Sequence, residues 1–294
     1  MEVILRRTLG RGLAGLLLAF GVHVAAWAAP PLWVVRDADS TLYLFGTMHV
    51  LTADADWRTP IFDKALAESS RVWLEMDTQA TPEAMARLVV DLGIDRKTPL
   101  AAKVSPTVMA AIRERVKGQP KLAEMAEHMR PWAAAMMIQA MPTLAAGQTS
   151  EAGADATLTR GVRESGKTVL FFETPEAQLR FFADLPEAVQ VQFLEDSLDQ
   201  AGGKGRTPAE TQAAWIAGDE RLLGDGVAAD MRAKRPALYD AFVRRRNAAW
   251  TALLMQDLAG SGTAMVAVGA LHMAGEDGLV AQLRAGGFTV ERVQ

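Results

Sequence analysis

Two short words in this sequence are built alike. Leu42-Tyr43-Leu44-Phe45-Gly46-Thr47-Met48-His49 and Met265-Val266-Ala267-Val268-Gly269-Ala270-Leu271-His272 each set four apolar residues, a glycine and two spacers ahead of a histidine. The chain has only four histidines, so two of them stand in matching frames. Two other apolar runs end in an acid: Val72-Trp73-Leu74 stops at Glu75, and Val169-Leu170-Phe171-Phe172 at Glu173. Imidazole nitrogen and carboxylate oxygen together suit divalent zinc, manganese, iron or cobalt. His49, His272, Glu75 and Glu173 are therefore read as metal ligands, with a position left open for a water whose pKa the metal lowers. A histidine outside the coordination sphere would serve as a base. Each residue alone has a plainer reading. A lone imidazole takes a backbone hydrogen bond, and a lone carboxylate pairs with an arginine or a helix N-terminus.

Such residues work together only if strands bring their ends to one place. In open α/β sheets, ligands gather at the carboxyl ends of the strands. A glycine there is read as a sharp turn through positive φ. Leu32 to Arg36, the turn Asp37-Ala38-Asp39-Ser40, and Thr41 to Gly46 read as a hairpin. Arg71 to Met76, Val169 to Phe172, Thr263 to Val268 and Phe288 to Arg292 read as further strands, and Leu51 to Thr59 as irregular. Helical spacing marks Pro60 to Ser69, Pro82 to Leu92, Ser105 to Val116, Leu122 to His128, Pro131 to Ala140 and Ala154 to Glu164, and Pro175 opens another helix. Residues 185–258 hold about four more helices by the same spacing. The expected fold is α/β (α+β): a central mixed β-sheet formed by the N- and C-terminal parts, with a large helical middle region. Residues 29–294 read as one domain, with a helical lobe at about 82–258 interrupted by a core strand near 168–173.

The first residues read as a signal peptide. Arg6, Arg7 and Arg11 precede an apolar stretch from Leu13 to Val24, and Ala26-Trp27-Ala28 fits the cleavage rule, so residues 1–28 are expected to be removed. The apolar run is short for a membrane span of about 20 residues, so no stable membrane insertion is expected after cleavage. The protein is expected to be exported, to the periplasm or the medium. Cleavage takes three arginines and Glu2 from 31 basic and 35 acidic residues, leaving a formal charge of -6. That balance argues against nucleic acid as a partner. The chain has no cysteine, which removes disulfides and thiolate zinc sites from consideration.

Several other stretches imitate known motifs. Gly161-Val162-Arg163-Glu164-Ser165-Gly166-Lys167-Thr168 matches the P-loop expression. Its context is reversed, with a helix before and a strand after, so Gly166 reads as a helix stop. Gly202-Gly203-Lys204-Gly205 follows a helix and is not a dinucleotide loop. His128 sits near a helix end and reads as structural. Met136, Met137 and Met141 read as helical core rather than as copper ligands.

Phe45-Gly46-Thr47-Met48-His49, Val72-Trp73-Leu74-Glu75-Met76-Asp77, Phe172-Glu173-Thr174-Pro175-Glu176-Ala177-Gln178 and Val268-Gly269-Ala270-Leu271-His272, with Gly275 and Gly278, resemble the TraB/GumN family. That family is similar to the Tiki metalloproteases, with their paired Gly-x-x-His motifs, and to the wider erythromycin-esterase-like group. The resemblance implies that His49, His272 and Glu75 carry the reaction. It also implies that Arg246-Asn247 matches an Arg-Asn step before the final helix, where guanidinium and amide donors bind a substrate carboxylate or an oxyanion. An exposed basic helix face is the alternative for that step. Gly153-Ala154-Asp155 stands where many members have Gly-Ile-Asp or Gly-Val-Asp, and Asp155 is read as a helix N-cap. The leading expectation is an exported metal-dependent hydrolase, a peptidase with a peptide or protein substrate and a divalent metal ion (manganese, cobalt, zinc or iron). The alternatives are a non-enzymatic periplasmic peptide-binding or envelope maturation factor, and a metal-independent esterase-like hydrolase with a histidine base.

Overall fold

The central strands carry apolar side chains at consecutive positions, as strands buried on both faces require. A computed structural model describes residues 29–77 and 82–294, so the expected signal peptide, 1–28, lies outside the described residues. Six strands form the main sheet: β1 (Leu32–Arg36), β2 (Ser40–Thr47), β4 (Arg71–Met76), β6 (Thr168–Glu173), β7 (Gly262–Gly269) and β8 (Val290–Arg292). Their order is β6-β4-β7-β2-β1-β8. Strands β6, β4, β7 and β2 are mutually parallel, while β1 runs antiparallel to both β2 and β8. The C-terminal strand β7 therefore lies between two N-terminal strands, and the sheet is mixed as expected.

Alternation along β2 divides the core into two layers. Tyr43 and Phe45 face Phe62 and Ala65 of the Pro60–Glu68 helix, Leu158 and Val162 of the Ala154–Glu164 helix, and Trp215. Leu42 and Leu44 face Trp250, Leu254 and Leu258 of the Arg245–Leu258 helix, and Leu279 and Leu283 of the Leu279–Ala285 helix. A separate cluster around Trp132, Ile112, Ile138 and Leu194 holds the helical lobe together. Among the described residues, no helix is long and apolar enough to cross a membrane.

Local chemistry sets the helix starts. Thr59, Ser105, Thr174 and Thr207 each accept a backbone N–H with the side-chain hydroxyl, and each is followed by proline at the first helical position. Gly166 ends its helix at φ 71°, and Thr168 begins β6, which confirms the reversed context of the P-loop look-alike. The helix expected over Pro131 to Ala140 instead runs Pro131–Ala145, with Pro142 inside its last turns. The stretch read as irregular contains β3 (Leu51–Thr52), paired antiparallel with β5 (Gln148–Thr149). Two residues per strand are too few to show alternation, and Gln212 holds this pair through Thr52 and Gln148.

Phe45 is the hinge of the first layer: its ring centroid lies 4.5 Å from that of Phe62 and 5.6 Å from that of Trp57. Phe45→Ala is expected to destabilise the protein by about 3–5 kcal/mol. A lower urea midpoint with an unchanged slope would report it.

Candidate functional site

Parallel register decides which residues share the carboxyl edge of the sheet. Thr47 pairs with Gly269, Leu74 with Ala267, and Met76 with Glu173. Glu75 thus reaches the end of β7, where the Gly269 N–H donates to its Oε1 at 2.6 Å. A short 3₁₀ turn, Ala270–His272, carries the second histidine back over that edge.

The two motif glycines do not act as the sequence reading expected. Neither Gly46 nor Gly269 has positive φ; Gly269 sits at φ −48°. Their role is space. A Cβ on Gly46 would lie 2.8 Å from Ala270 Cα, and one on Gly269 would lie 3.0 Å from Glu75 Oε1 and 3.2 Å from His49 Nε2. The Gly46 contact, to backbone, leaves no room for a side chain, and the Gly269 contacts are tight, so the glycines let the two histidine loops and Glu75 crowd together.

Each histidine presents Nε2 to Glu75 and has Nδ1 held from behind. His49 Nε2 lies 4.0 Å from Glu75 Oε1, and its Nδ1 is 3.0 Å from Asp155 Oδ1. His272 Nε2 lies 3.8 Å from the same oxygen, and its Nδ1 is 2.6 Å from Asn247 Oδ1. Asn247 Nδ2 donates to the carbonyls of His272 and Asp277, so its Oδ1 is an acceptor. His272 therefore carries its proton on Nδ1 and leaves the Nε2 lone pair free to accept. Arg246 Nη1 donates to it at 3.0 Å.

Arg246 and Asn247 are both buried, not part of an exposed basic face. Arg246 forms a fork with Glu173, with Nε to Oε1 and Nη2 to Oε2 both at 2.8 Å, and Nη2 also reaches Glu75 Oε2 at 2.9 Å. Its guanidinium lies 4.7 Å from the Trp250 ring centroid. Glu173, grouped with the ligands in the sequence reading, has both oxygens engaged by Arg246, and Oε1 also accepts from Trp250 Nε1. It stands as the counter-charge of Arg246. The Glu75 Oε2 atom also accepts from Gln178.

Asp155 is not the N-cap. The cap position is Gly153, and Asp155 lies in the first turn of the helix with its carboxylate on His49. Sequence spacing cannot link residues 106 apart, so no local signal could have joined this pair. The contact depends on Gly153, where a Cβ would stand 2.2 Å from the His49 carbonyl oxygen.

The charges follow from these contacts. Asp155 beside it raises His49 to about 9, with Glu75 adding to the effect and Arg246 opposing it. Burial pushes His272 down to about 3, helped by Arg246 and His49 and opposed by Glu75. Burial works against the charge on Glu75, but the histidines, Arg246 and the Gly269 N–H bring its carboxyl down to about 2. Glu75, Glu173 and Asp155 face Arg246 and the protonated His49, three negative charges against two positive.

The donors match a divalent ion in kind. Two imidazole nitrogens and one carboxylate oxygen converge, and each imidazole has an oxygen acceptor behind it, the arrangement that orients histidine ligands. The separations of 4.0 and 3.8 Å are roughly half an ångström wider than bonds of about 2.1 Å to a shared ion impose. Among the described residues, no three such side chains are already drawn around one point closely enough to hold a metal. Coordination by His272 would also require Arg246 Nη1 to release the Nε2 lone pair.

In metal-free protein, NMR titration is expected to show His49 protonating near pH 9 and His272 neutral down to about pH 3. The stabilities they contribute run in opposite directions. His49 is raised, so its contribution is complete below its ordinary value of 6.5 and lost as pH rises through about 9; His272 is lowered, so its contribution holds above 6.5 and is lost as pH falls toward 3. Urea melts of His272→Gln should accordingly show a shallower loss of stability between pH 6.5 and 3 than the parent. Gly153→Ala should part Asp155 from His49 and return the His49 titration toward 6.5.

The chain is similar to known proteins over about half its length. It is 28% identical over 153 residues to the "Uncharacterized protein YbaP" of Escherichia coli (strain K12), a match covering 52% of this chain and 56% of that protein. The protein of the same description from Shigella flexneri matches with the same identity and coverage. The chain thus spans about half the length of the curated relatives it matches. No solved structure matches. The model of the TraB/PrgY/gumN family covers residues 31–292, from the strand that opens the sheet to the one that closes it, and the chain belongs to that family.

Proposed function

We propose that this chain is an exported, metal-dependent hydrolase acting on peptides. The observation that carries the reading is the approach of His49 Nε2 and His272 Nε2 to one oxygen of Glu75, beside a cavity lined by both histidines. His49, His272 and Glu75 Oε1 would hold the ion. Bound there, manganese, cobalt, zinc or iron supplies a water acidic enough to attack and a Lewis acid for the carbonyl oxygen.

The chain's own residues do the rest. Asp155 and Asn247 fix the two imidazoles so that both Nε2 atoms face the cavity without further ordering at the moment of reaction. Glu173 and Trp250 hold Arg246 in place, leaving a guanidinium beside the reacting point to offset negative charge that develops on the substrate. Of the two imidazoles, His49 is the more exposed to solvent. Export rests on the charged, apolar and small-residue pattern of the first 28 residues.

One feature favours a second reading. Arg246 already uses the His272 lone pair, while His49, backed by Asp155, gives up its proton only near pH 9 and above that would act as a base on water without a metal. Purified protein should take up a divalent ion in calorimetry, and His49→Ala and His272→Ala should each lose both that binding and peptide hydrolysis by at least about 100-fold while melting normally. Hydrolysis that survives exhaustive chelation selects the metal-free base instead, and an ion bound equally by both variants removes these histidines as its ligands.

A further inference from the structure

The reacting groups form only one end of their cavity. It encloses about 440 Å³, within the range of about 300–1,000 Å³ typical of ligand pockets. The sheet edge contributes Thr47, His49 and His272; the helical lobe supplies the opposite wall with Phe182, Phe193 and Phe242. These three rings form a cluster, with centroids 4.2 Å apart for Phe182 and Phe242 and 5.7 Å for Phe182 and Phe193. Leu238 and Met231 continue that wall.

The distribution of charge limits the occupant. Among the described residues, the ionisable side chains lining the cavity are His49, His272 and Arg246, and Arg246 is already paired with Glu75 and Glu173. A charged side chain placed among the phenyl rings would lose its hydration and find no partner. A large apolar side chain would instead gain about 25 cal/mol for each Å² of surface removed from water.

We infer that the cavity is the specificity site for a peptide substrate, receiving one aromatic or large aliphatic side chain next to the bond presented to His49 and His272. This rests on the hydrolase reading above for the word substrate, but the recognition follows from the walls alone. Selectivity would come from the helical lobe, and chemistry from the sheet edge.

The test uses blocked hexapeptides that differ only at one central residue: Phe, Leu, Ala or Asp. Binding to the full chain is read by calorimetry and cleavage by mass spectrometry. The Phe and Leu peptides are expected to bind about 10–200-fold more tightly than the Ala and Asp peptides. Met231→Trp, which fills the cavity, should erase that preference by weakening the Phe and Leu peptides to the level of the Ala peptide. Equal affinity across the four peptides overturns the inference, as does a preference that persists intact in Met231→Trp. Cleavage without side-chain preference also overturns it and leaves the hydrolase reading standing. Preferential binding without cleavage supports the recognition site and removes the hydrolase.

Discussion

The placement of Arg246 is the constraint on which the rest of the site depends. A guanidinium in this position is buried beside the sheet, and its charge is tolerable there only because Glu173 meets it as a two-pronged partner and Glu75 accepts a third bond. That arrangement ties the last long helix to β4 and β6 at once. It also fixes where the free oxygen of Glu75 points, because Oε2 faces Arg246 and Gln178 while Oε1 faces Gly269 and the histidines. Remove the arginine and two carboxylates face each other's charge in a buried site, so the pair cannot be read as two independent ligands.

The site is also a problem of room. Four parallel strands deliver their last residues to one edge, but side chains at those positions would hold the loops apart. Gly46, Gly269 and Gly153 remove the obstruction at three successive contacts: loop on loop, loop on Glu75, and helix start on the His49 carbonyl. The imidazoles are then oriented from outside the sheet, one by a first-turn aspartate and one by a buried asparagine. The two are oriented alike but carry different charge. His49 lies largely in solvent beside a carboxylate and keeps its proton, whereas His272 lies in the interior beside a guanidinium and stays neutral.

Much of this was legible in the residues because strand-end logic is local. An apolar run of four or five residues reports a buried strand, and the residue after it must lie at the sheet's edge. His49, Glu75, Glu173 and His272 were found in that way, and register brought all four to the carboxyl edge. The same reasoning misassigned partners. Asp155 read as a cap because caps are judged from the next three residues, while its contact to His49 spans 106 residues. The glycines read as positive-φ turns because that is glycine's commonest use, although the need here was clearance. The small β3–β5 pair, two residues long on each side, had no period to detect.

The sequence by itself determined the α/β class, the strands and most helix limits, the four strand-end residues and the family resemblance, since each depends on neighbours within a few positions or on whole words of sequence. Only the tertiary structure decided which carboxylate serves the histidines and which serves Arg246, which ring nitrogen each histidine offers, and that an aromatic wall from the helical lobe faces them. Those choices are made by electrostatics and packing between residues 25 to 194 positions apart. Charge pairing and steric clearance act through space, and nothing in the order of residues along the chain encodes them singly.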